Sequence, residues 1–181
     1  MFDPLFSLQG KRTLITGGAG SLGTLISKAF AERGAVITIQ DLNQERLDEV
    51  RKAITAGSGK VFSIAADLSD PTECARVVSE ANQLMGGLDI VINTAGINRR
   101  KPISEVTEDD FDAIVSVNMK AIYFISQAAH PIMKAGGGGA IVNMSSLSAR
   151  YSYNTISVYA ATKAAVSSIT RSAAREWAKD K

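Results

Sequence analysis

The chain has 181 residues, 45% of them hydrophobic and 21% charged, and a formal net charge of +2. This length and composition suit one globular domain over residues 1–181. The small net charge gives no electrostatic reason to expect nucleic acid or an anionic membrane as a partner. Cys74 is the only cysteine and His130 the only histidine, which excludes an internal disulfide and argues against a metal site of the usual kinds. The amino terminus lacks a secretory signal pattern and no apolar run could cross a bilayer, so we expect a cytoplasmic protein.

Short apolar runs rich in β-branched residues predict five buried strands. They cover residues 12–16, 35–40, 61–66, 88–93 and 140–144. Helical patterns alternate with these runs, and the strands are apolar on both faces, which is typical of a parallel sheet covered by helices on both sides. Right-handed crossovers then favour a doubly wound α/β fold of the Rossmann type.

Caps and glycine stops mark the predicted helices. The first follows Gly23 and ends at Gly34, because glycine commonly ends a helix. Asn43, Asp70 and Thr107 each stand where an N-cap is expected, since their side-chain oxygens can accept from the first free backbone N–H groups. The helix that opens at Thr107 is expected to have four residues inside: Phe111, Ile114, Val117 and Ala121.

A glycine-rich loop, Thr16-Gly-Gly-Ala-Gly-Ser-Leu-Gly23, follows the first strand. In a doubly wound sheet, ligands bind beyond the carboxyl ends of the strands. Glycines let the backbone approach a pyrophosphate, and the following helix points its N–H groups and positive dipole at it. The candidate cofactor-binding residues here are Gly17, Gly20, Ser21, Leu22 and Gly23. A tight strand–helix turn is the alternative interpretation.

Acidic and small residues end the next three strands. Asp41 closes the second strand, where a carboxylate accepts hydrogen bonds from the adenosine ribose hydroxyls and repels a 2′-phosphate. This favours NAD over NADP. The alternative is that Asp41 only begins a turn, since Asp is common there. Asp67 and Leu68 follow the third strand, where they would meet the adenine or simply form the turn before a helix. At the end of the fourth strand, small residues leave room for a flat cofactor: Asn93, Ala95 and Gly96.

Tyr159 and Lys163 are four residues apart in the last predicted helix, about residues 155–177, and therefore share one face of it. An ammonium close to a phenol stabilises the phenolate, which prepares a tyrosine to exchange a proton with an alcohol near neutral pH. The spacing alone also arises by chance on amphipathic helices. Ser145 and Ser146 follow the fifth strand, where a serine can donate to a substrate carbonyl or satisfy local backbone.

Together these motifs resemble the short-chain dehydrogenase/reductase family over essentially the whole chain. The matching elements are Thr16–Gly23, Asn93–Gly96 and Tyr159–Lys163. The resemblance implies that Tyr159 is the catalytic acid or base and that Lys163 assists it and binds the nicotinamide ribose. It also implies that Ser146, thirteen residues before the tyrosine, orients the carbonyl, and that Asn118 holds a water in a proton relay. Family members are usually dimers or tetramers, so it implies a homodimer or homotetramer as well.

The chain departs from the family pattern in three places. Ser21 stands where most members of this size carry the middle glycine, and Thr94 replaces the second asparagine of Asn-Asn-Ala-Gly. Family members also continue into a sixth strand, a substrate lid and a seventh strand. A sheet that stops at strand five would expose an apolar edge. We therefore expect either that the 181 residues are part of a longer protein or that a partner covers this edge.

A basic run, Arg99-Arg100, follows the fourth strand and would place guanidinium groups at the mouth of the cleft, where they bind carboxylates well. A solvated loop is the alternative interpretation. The surrounding Gly-Ile-x-Arg-Arg stretch resembles gluconate 5-dehydrogenases and related sugar-acid dehydrogenases, which implies oxidation of a small-molecule sugar acid or polyol at a secondary alcohol. Two other functions stay open: reduction of a 3-oxoacyl thioester, and a catalytically silent dinucleotide-binding module.

Overall fold

The structure is a computed structural model that describes residues 4–57, 59–151 and 153–181; residues 1–3 of the amino-terminal segment considered above lie outside this part. The described residues form a five-stranded parallel sheet in the order β3-β2-β1-β4-β5. The strands are β1 (Arg12–Thr16), β2 (Val36–Asp41), β3 (Lys60–Ala65), β4 (Ile90–Asn93) and β5 (Ala140–Asn143). The predicted doubly wound fold is confirmed, and strand ends differ from the prediction by at most two residues.

Six α-helices connect and flank these strands in the described part of the chain. They are α1 (Ser21–Glu32), α2 (Gln44–Ala56), α3 (Pro71–Met85), α4 (Glu108–Val115), α5 (Ala121–Ala135) and α6 (Ser157–Trp177). The predicted N-caps of α2, α3 and α4 are confirmed: the side chains of Asn43, Asp70 and Thr107 each accept from a backbone N–H of the first turn. Gly34 follows α1 with a φ of 88°, a conformation that glycine adopts without strain.

Successive strand residues point to opposite faces of the sheet, and each face has its own core. One cluster joins Ile37 and Ile39 of β2 to Leu47 of α2, with α1 beside them. The other joins Leu14 of β1 and Val91 of β4 to α3 and α5. Burial of each such aliphatic side chain contributes about 1.5–3 kcal/mol, so helices on both faces explain why the strands are apolar throughout.

The sheet edge at β5 is less covered than its centre. Val142 is 47% exposed, and a groove of about 690 Å³ runs along the strand between α5 and α6. His130 and Trp177 stack at its rim, with ring centroids 4.4 Å apart. The apolar edge expected at the fifth strand is therefore present.

The helix predicted to open at Thr107 and to include Ala121 is interrupted. A π-helical turn, Ser116–Lys120, joins α4 to α5. Ile114 and Ala121 are buried as predicted, whereas Val117 is only half-buried. The prediction that Phe111 lies inside is wrong, because its side chain is 50% exposed. The physical reason is that α4 packs on α6 and the π turn instead of on the sheet, so only a narrow stripe of it is covered.

Candidate active site

The strand order reverses between β1 and β4, where a doubly wound sheet opens a crevice. The loops that follow these two strands approach each other closely. A Cβ atom at Gly17 would lie 2.8 Å from the Cα of Ala95, and Gly17 has a φ of 64°. A Cβ at Gly23 would collide with the carbonyl oxygen of Gly17. Both positions therefore require glycine. Without side chains here, the glycine-rich loop (residues 16–23) forms an open concave surface, called the cradle below.

The cradle ends at the first turn of α1. Gly20 is the N-cap and has no side chain to satisfy the helix terminus, so the first backbone N–H groups of α1 are available to an anion. Ser21 is exposed at the first helical position, and Leu22 is 47% exposed beside it. These features fit the pyrophosphate of a dinucleotide.

Asp41 ends β2 beside the glycine-rich loop. One carboxylate oxygen accepts from the backbone N–H of Ala19 at 3.1 Å, and the other accepts from the N–H of Leu42 at 2.8 Å. The loop therefore holds this carboxylate at the cleft edge, where a ribose would lie.

Gln40 is a site residue that the sequence analysis missed. Its side chain is 2% exposed; Oε1 accepts from the N–H of Gly17 at 3.3 Å, and Nε2 donates to the carbonyl oxygen of Ala66 at 2.8 Å. It thus ties the glycine-rich loop to the end of β3. The one sequence signal was a polar amide in an otherwise apolar strand.

Asp67 and Leu68 differ in what they offer a ligand. Asp67 is exposed, and its carboxylate accepts from the N–H of Ser69 at 2.9 Å. Leu68 is only 5% exposed and packs in the core with Cys74, so its side chain is not available to a cofactor. Burial raises the pKa of the Cys74 thiol to about 11, and this cysteine is therefore not a reactive thiolate.

Asn93 is likewise turned into the protein. It is 1% exposed; its Nδ2 donates to Asn143 Oδ1 at 2.8 Å, and its Oδ1 accepts from the hydroxyl of Thr16 at 3.4 Å. The side chain therefore joins the ends of β1, β4 and β5. Thr94 donates to the carbonyl oxygen of Thr16 at 2.5 Å, which fixes the loop at the position where the second asparagine of the motif is replaced.

Gly96, Asn118 and Lys163 meet on the other side of the cleft. A Cβ at Gly96 would lie 3.3 Å from Asn118 Oδ1 and 3.7 Å from Lys163 Nζ. Asn118 is fully buried in the π turn, and its amide pairs with both backbone groups of Ile97: Oδ1 accepts from N–H at 2.7 Å and Nδ2 donates to the carbonyl at 2.8 Å. The π turn, a feature frequent at functional sites, carries this asparagine.

Lys163 is 4% exposed, and its Nζ donates to the carbonyl oxygen of Met144 at 2.7 Å. Burial lowers the pKa of its ammonium. The Nζ lies 5.7 Å from the centre of the Tyr159 ring. Tyr159 is half-buried, and its hydroxyl forms no hydrogen bond with any residue the structure describes.

The two serines after β5 have different partners. Ser145 donates its hydroxyl to the carbonyl oxygen of Lys163 at 3.0 Å, and it lies 2.7 Å from the hydroxyl of Ser167. Ser146 Oγ instead accepts from Ser148, from the backbone N–H at 3.1 Å and from the hydroxyl at 2.9 Å. The hydroxyl of Ser145 is therefore engaged with α6, whereas Ser146 keeps its own hydrogen for a ligand. The sequence did not identify Ser148 as a site residue, because it shows only that another serine follows two residues after Ser146.

Only one of the two arginines expected at the cleft mouth is available. Arg99 pairs with Asp110 of α4 at 3.2 Å, and Lys101 pairs with the same carboxylate at 2.5 Å. The pKa of Asp110 lies well below its usual range, because its carboxylate accepts hydrogen bonds from Lys101, Thr107 and Arg99. Arg100 is exposed and, within the described part of the chain, makes no hydrogen bond or ion pair. The two guanidinium groups therefore differ in that Arg99 is bound to Asp110 and Arg100 is not, and whether either faces a substrate stays a prediction.

Among the residues that the structure describes, no group of three or more His, Cys, Asp or Glu is placed to hold a metal ion. No helix in that part is long and apolar enough to cross a membrane.

Comparison with known proteins places this geometry in a family. A family model described as short chain dehydrogenase matches residues 11–181. Gluconate 5-dehydrogenase of Gluconobacter oxydans is 35% identical over 173 residues, which are 96% of this chain and 68% of the relative. The 3-oxoacyl-[acyl-carrier-protein] reductase of Thermotoga maritima is 34% identical over 171 residues, which are 94% of this chain and 70% of the relative. The chain covers 58% of a tropinone reductase homolog of Arabidopsis thaliana.

Solved structures agree with this assignment. A protein of Sinorhizobium meliloti described as a short-chain alcohol dehydrogenase superposes with a TM-score of 0.95 at 38% identity, over 98% of this chain and 70% of that one. A gluconate 5-dehydrogenase of Burkholderia cenocepacia in complex with NADP and tartrate superposes with a TM-score of 0.91 at 32% identity, over 97% and 69%. The chain therefore belongs to the short-chain dehydrogenase family of NAD(P)-dependent oxidoreductases.

Proposed function

We propose that the protein interconverts a secondary alcohol and a ketone with NAD, acting on a sugar acid or polyol. The observation that carries this proposal is the buried Lys163 beside Tyr159, with Gly96 next to both its ammonium and the side-chain amide of Asn118. With the Lys163 ammonium beside its ring, Tyr159 removes the alcohol proton during oxidation and returns it during reduction. Ser146 donates to the substrate oxygen and stabilises negative charge there.

The cofactor is held by the glycine-rich cradle and by Asp41. A bound nicotinamide would supply or accept the hydride, and Lys163 Nζ would bind its ribose. The carboxylate of Asp41 is held toward the ribose position by the N–H of Ala19, and a 2′-phosphate there would meet like charge. The Burkholderia cenocepacia gluconate 5-dehydrogenase was solved with NADP, so both cofactors belong in the test, with NAD expected to give the lower KM.

Arg100 supports an acidic substrate. Its guanidinium is exposed and forms no ion pair with the described residues, whereas the guanidinium of Arg99, also exposed, is bound to Asp110. A guanidinium binds a carboxylate through paired N–H donors. Arg100→Ala should therefore raise the KM for gluconate about tenfold and leave that for a neutral polyol unchanged. The matched variant Arg99→Ala should leave both KM values unchanged and lower the melting temperature, since it disrupts the start of α4.

A 3-oxoacyl thioester reductase is the second candidate. Two exposed apolar side chains flank the reaction residues: Leu147, 72% exposed after Ser146, and Ile97, 38% exposed after Gly96. An apolar rim with one cation suits an acyl chain attached to an acidic carrier. A 3-oxoacyl thioester of N-acetylcysteamine with NADH or NADPH tests this function.

One assay separates the candidates. The purified protein is mixed with NAD or NADP and gluconate, or with NADH or NADPH and the thioester, and the absorbance of the reduced nicotinamide is followed. Turnover of gluconate with NAD supports the proposal, and turnover of the thioester alone supports the second candidate. Cofactor binding without turnover of any substrate would leave a silent dinucleotide-binding module.

A homodimer or homotetramer is also part of the proposal. Ile103 and Phe111, 79% and 50% exposed, lie at a shallow apolar groove between α4 and α6. Such a patch is typical of an interface, and light scattering of the purified protein would test it. One NAD(P)-binding domain over residues 1–181 and a cytoplasmic location stay predictions.

A further inference from the structure

Both hydrogen bonds that Ser146 Oγ accepts come from a single residue. The backbone N–H of Ser148 donates at 3.1 Å and its hydroxyl donates at 2.9 Å. Ser148 is 7% exposed, and it lies in the 3-10 turn Leu147–Ala149, which packs against α6. Its hydroxyl is therefore held against Ser146 by buried backbone.

A serine hydroxyl has two acceptor lone pairs and one donor hydrogen. Ser148 occupies both acceptor sites of Ser146, and within the described residues the Ser146 hydrogen is donated to no protein group. The only hydrogen-bonding capacity left on Ser146 is thus donation toward the cleft. Accepted hydrogen bonds also polarise an O–H group and strengthen the bond it donates.

We propose that Ser148 is a positioning residue that fixes Ser146 as a hydrogen-bond donor to the substrate oxygen. This inference rests on the proposed function, because it acts through the role given there to Ser146.

The arrangement matters because a second hydroxyl, that of Tyr159, must serve the same substrate oxygen. With a free lone pair, Ser146 would accept a hydrogen bond from the Tyr159 hydroxyl, whose proton the reaction needs to deliver to the substrate. Filling both lone pairs leaves the substrate oxygen as the acceptor for both hydroxyls. The preference for this geometry grows as negative charge develops on the oxygen, so its effect falls mainly on kcat.

The test compares Ser148→Ala and Ser148→Thr with the unsubstituted protein. Ser148→Ala removes the hydroxyl bond and keeps the backbone bond, whereas Ser148→Thr keeps both. Initial rates with gluconate and NAD give kcat and KM, and fluorescence titration gives the Kd for NADH. Ser126→Ala is the matched control, because Ser126 is also a buried serine, and its hydroxyl bonds only to the α5 backbone at Ile122.

Ser148→Ala is expected to lower kcat about tenfold with little change in KM or in the Kd for NADH, since one neutral hydrogen bond is lost. Ser148→Thr is expected to restore most of the rate, and Ser126→Ala to keep the unsubstituted rate. A merely structural role would lower the melting temperature of Ser148→Ala without changing kcat. Unchanged kcat in Ser148→Ala overturns this inference alone. If the unsubstituted protein turns over no substrate while it binds NADH, the proposed function fails, and this inference fails with it.

Discussion

The two sides of the cleft differ in whether they contain hydroxyl groups that donate to none of the described protein groups. On the β2 side, Gln40 and Asp41 are both hydrogen-bonded to the glycine-rich loop. On the α6 side, the hydroxyls of Ser146 and Tyr159 donate to no other described residue. The β2 side is therefore built in advance as a binding surface, whereas the α6 side, where Asn118, Ser145 and Lys163 are bound by protein, keeps two hydroxyl donors for the reacting oxygen. Preorganisation of this kind lowers the entropy lost when a ligand binds.

The sharpest test removes one donor from the α6 side. Tyr159→Phe should lower turnover about a thousandfold, because general acid–base catalysis contributes about 10²–10⁴ in rate. Its Kd for NADH should stay within twofold of the unsubstituted value, since the other half of the cleft is intact. Steady-state rates and fluorescence titration measure the two quantities.

Tyr123→Phe is the matched control for that experiment, because Tyr123 is half exposed on α5 and should keep the unsubstituted rate. Retained turnover in Tyr159→Phe would contradict the proposed proton transfer.

A second test perturbs neither side of the cleft. Arg12 and Asp89 form a bidentate pair at the opposite end of the sheet, with N–O distances of 2.7 and 2.8 Å. The hydrogen bond from Arg12 holds the pKa of Asp89 at about 2. A carboxylate with a lowered folded-state pKa stabilises the protein above its unfolded pKa, near 4, and that stabilisation is lost as pH falls toward 2.

Asp89→Asn should therefore lower the free energy of unfolding by about 2 kcal/mol at pH 7, and the difference from the unsubstituted protein should shrink below pH 4. Urea unfolding at pH 7, 5, 4 and 3 measures it. The control Asp48→Asn breaks an exposed pair with Arg51 and should change stability little. A difference independent of pH would contradict this account.

The third test loosens the β2 side alone. Gln40→Leu leaves the N–H of Gly17 and the carbonyl of Ala66 without their partner, so the Kd for both NADH and ADP-ribose should rise about tenfold. The rate at saturating cofactor should change less than twofold. Gln127→Leu, an exposed glutamine on α5, serves as the control. Unchanged affinity would mean that the loop keeps its shape without Gln40.

The smallest effect is expected at the turn before α6. Thr155 has a φ of 66°, a left-handed conformation that costs a β-branched residue about 1–2 kcal/mol. Its carbonyl accepts from the N–H of Lys101 at 3.0 Å, which joins the loops on either side of the mouth. Thr155→Gly should raise the free energy of unfolding by about 0.5 kcal/mol after the added flexibility of the unfolded chain is subtracted. Thr155→Ala keeps the Cβ, so its free energy of unfolding should not rise. If Thr155→Gly were less stable than the unsubstituted protein, the proposed backbone strain at this position would be refuted.

Sequence reasoning predicted the strands, their parallel direction and the caps at Asn43, Asp70 and Thr107, because these depend on local apolar patterns and short-range hydrogen bonds. It did not find Gln40 or Ser148, since a buried polar side chain reveals its partner only after distant strand ends or a local turn bring the two together. The exposure of Phe111 was missed for a related reason. Helical spacing shows which residues share a face, but it does not show whether a sheet lies beneath that face.

The π turn Ser116–Lys120 bears on how the chain would tolerate a change in length. Such a turn holds one residue more than the α-helical turn it replaces, and the residues that flank it, Val115 and Ala121, already have α-helical dihedrals. Deleting one codon within the turn would allow α4 and α5 to fuse into a single regular helix. Because the residue removed is the extra one, both flanks would keep their buried faces, but the wide turn that carries Asn118 would be lost, and with it both bonds to Ile97. A single deletion there would thus yield a well-folded but inactive protein.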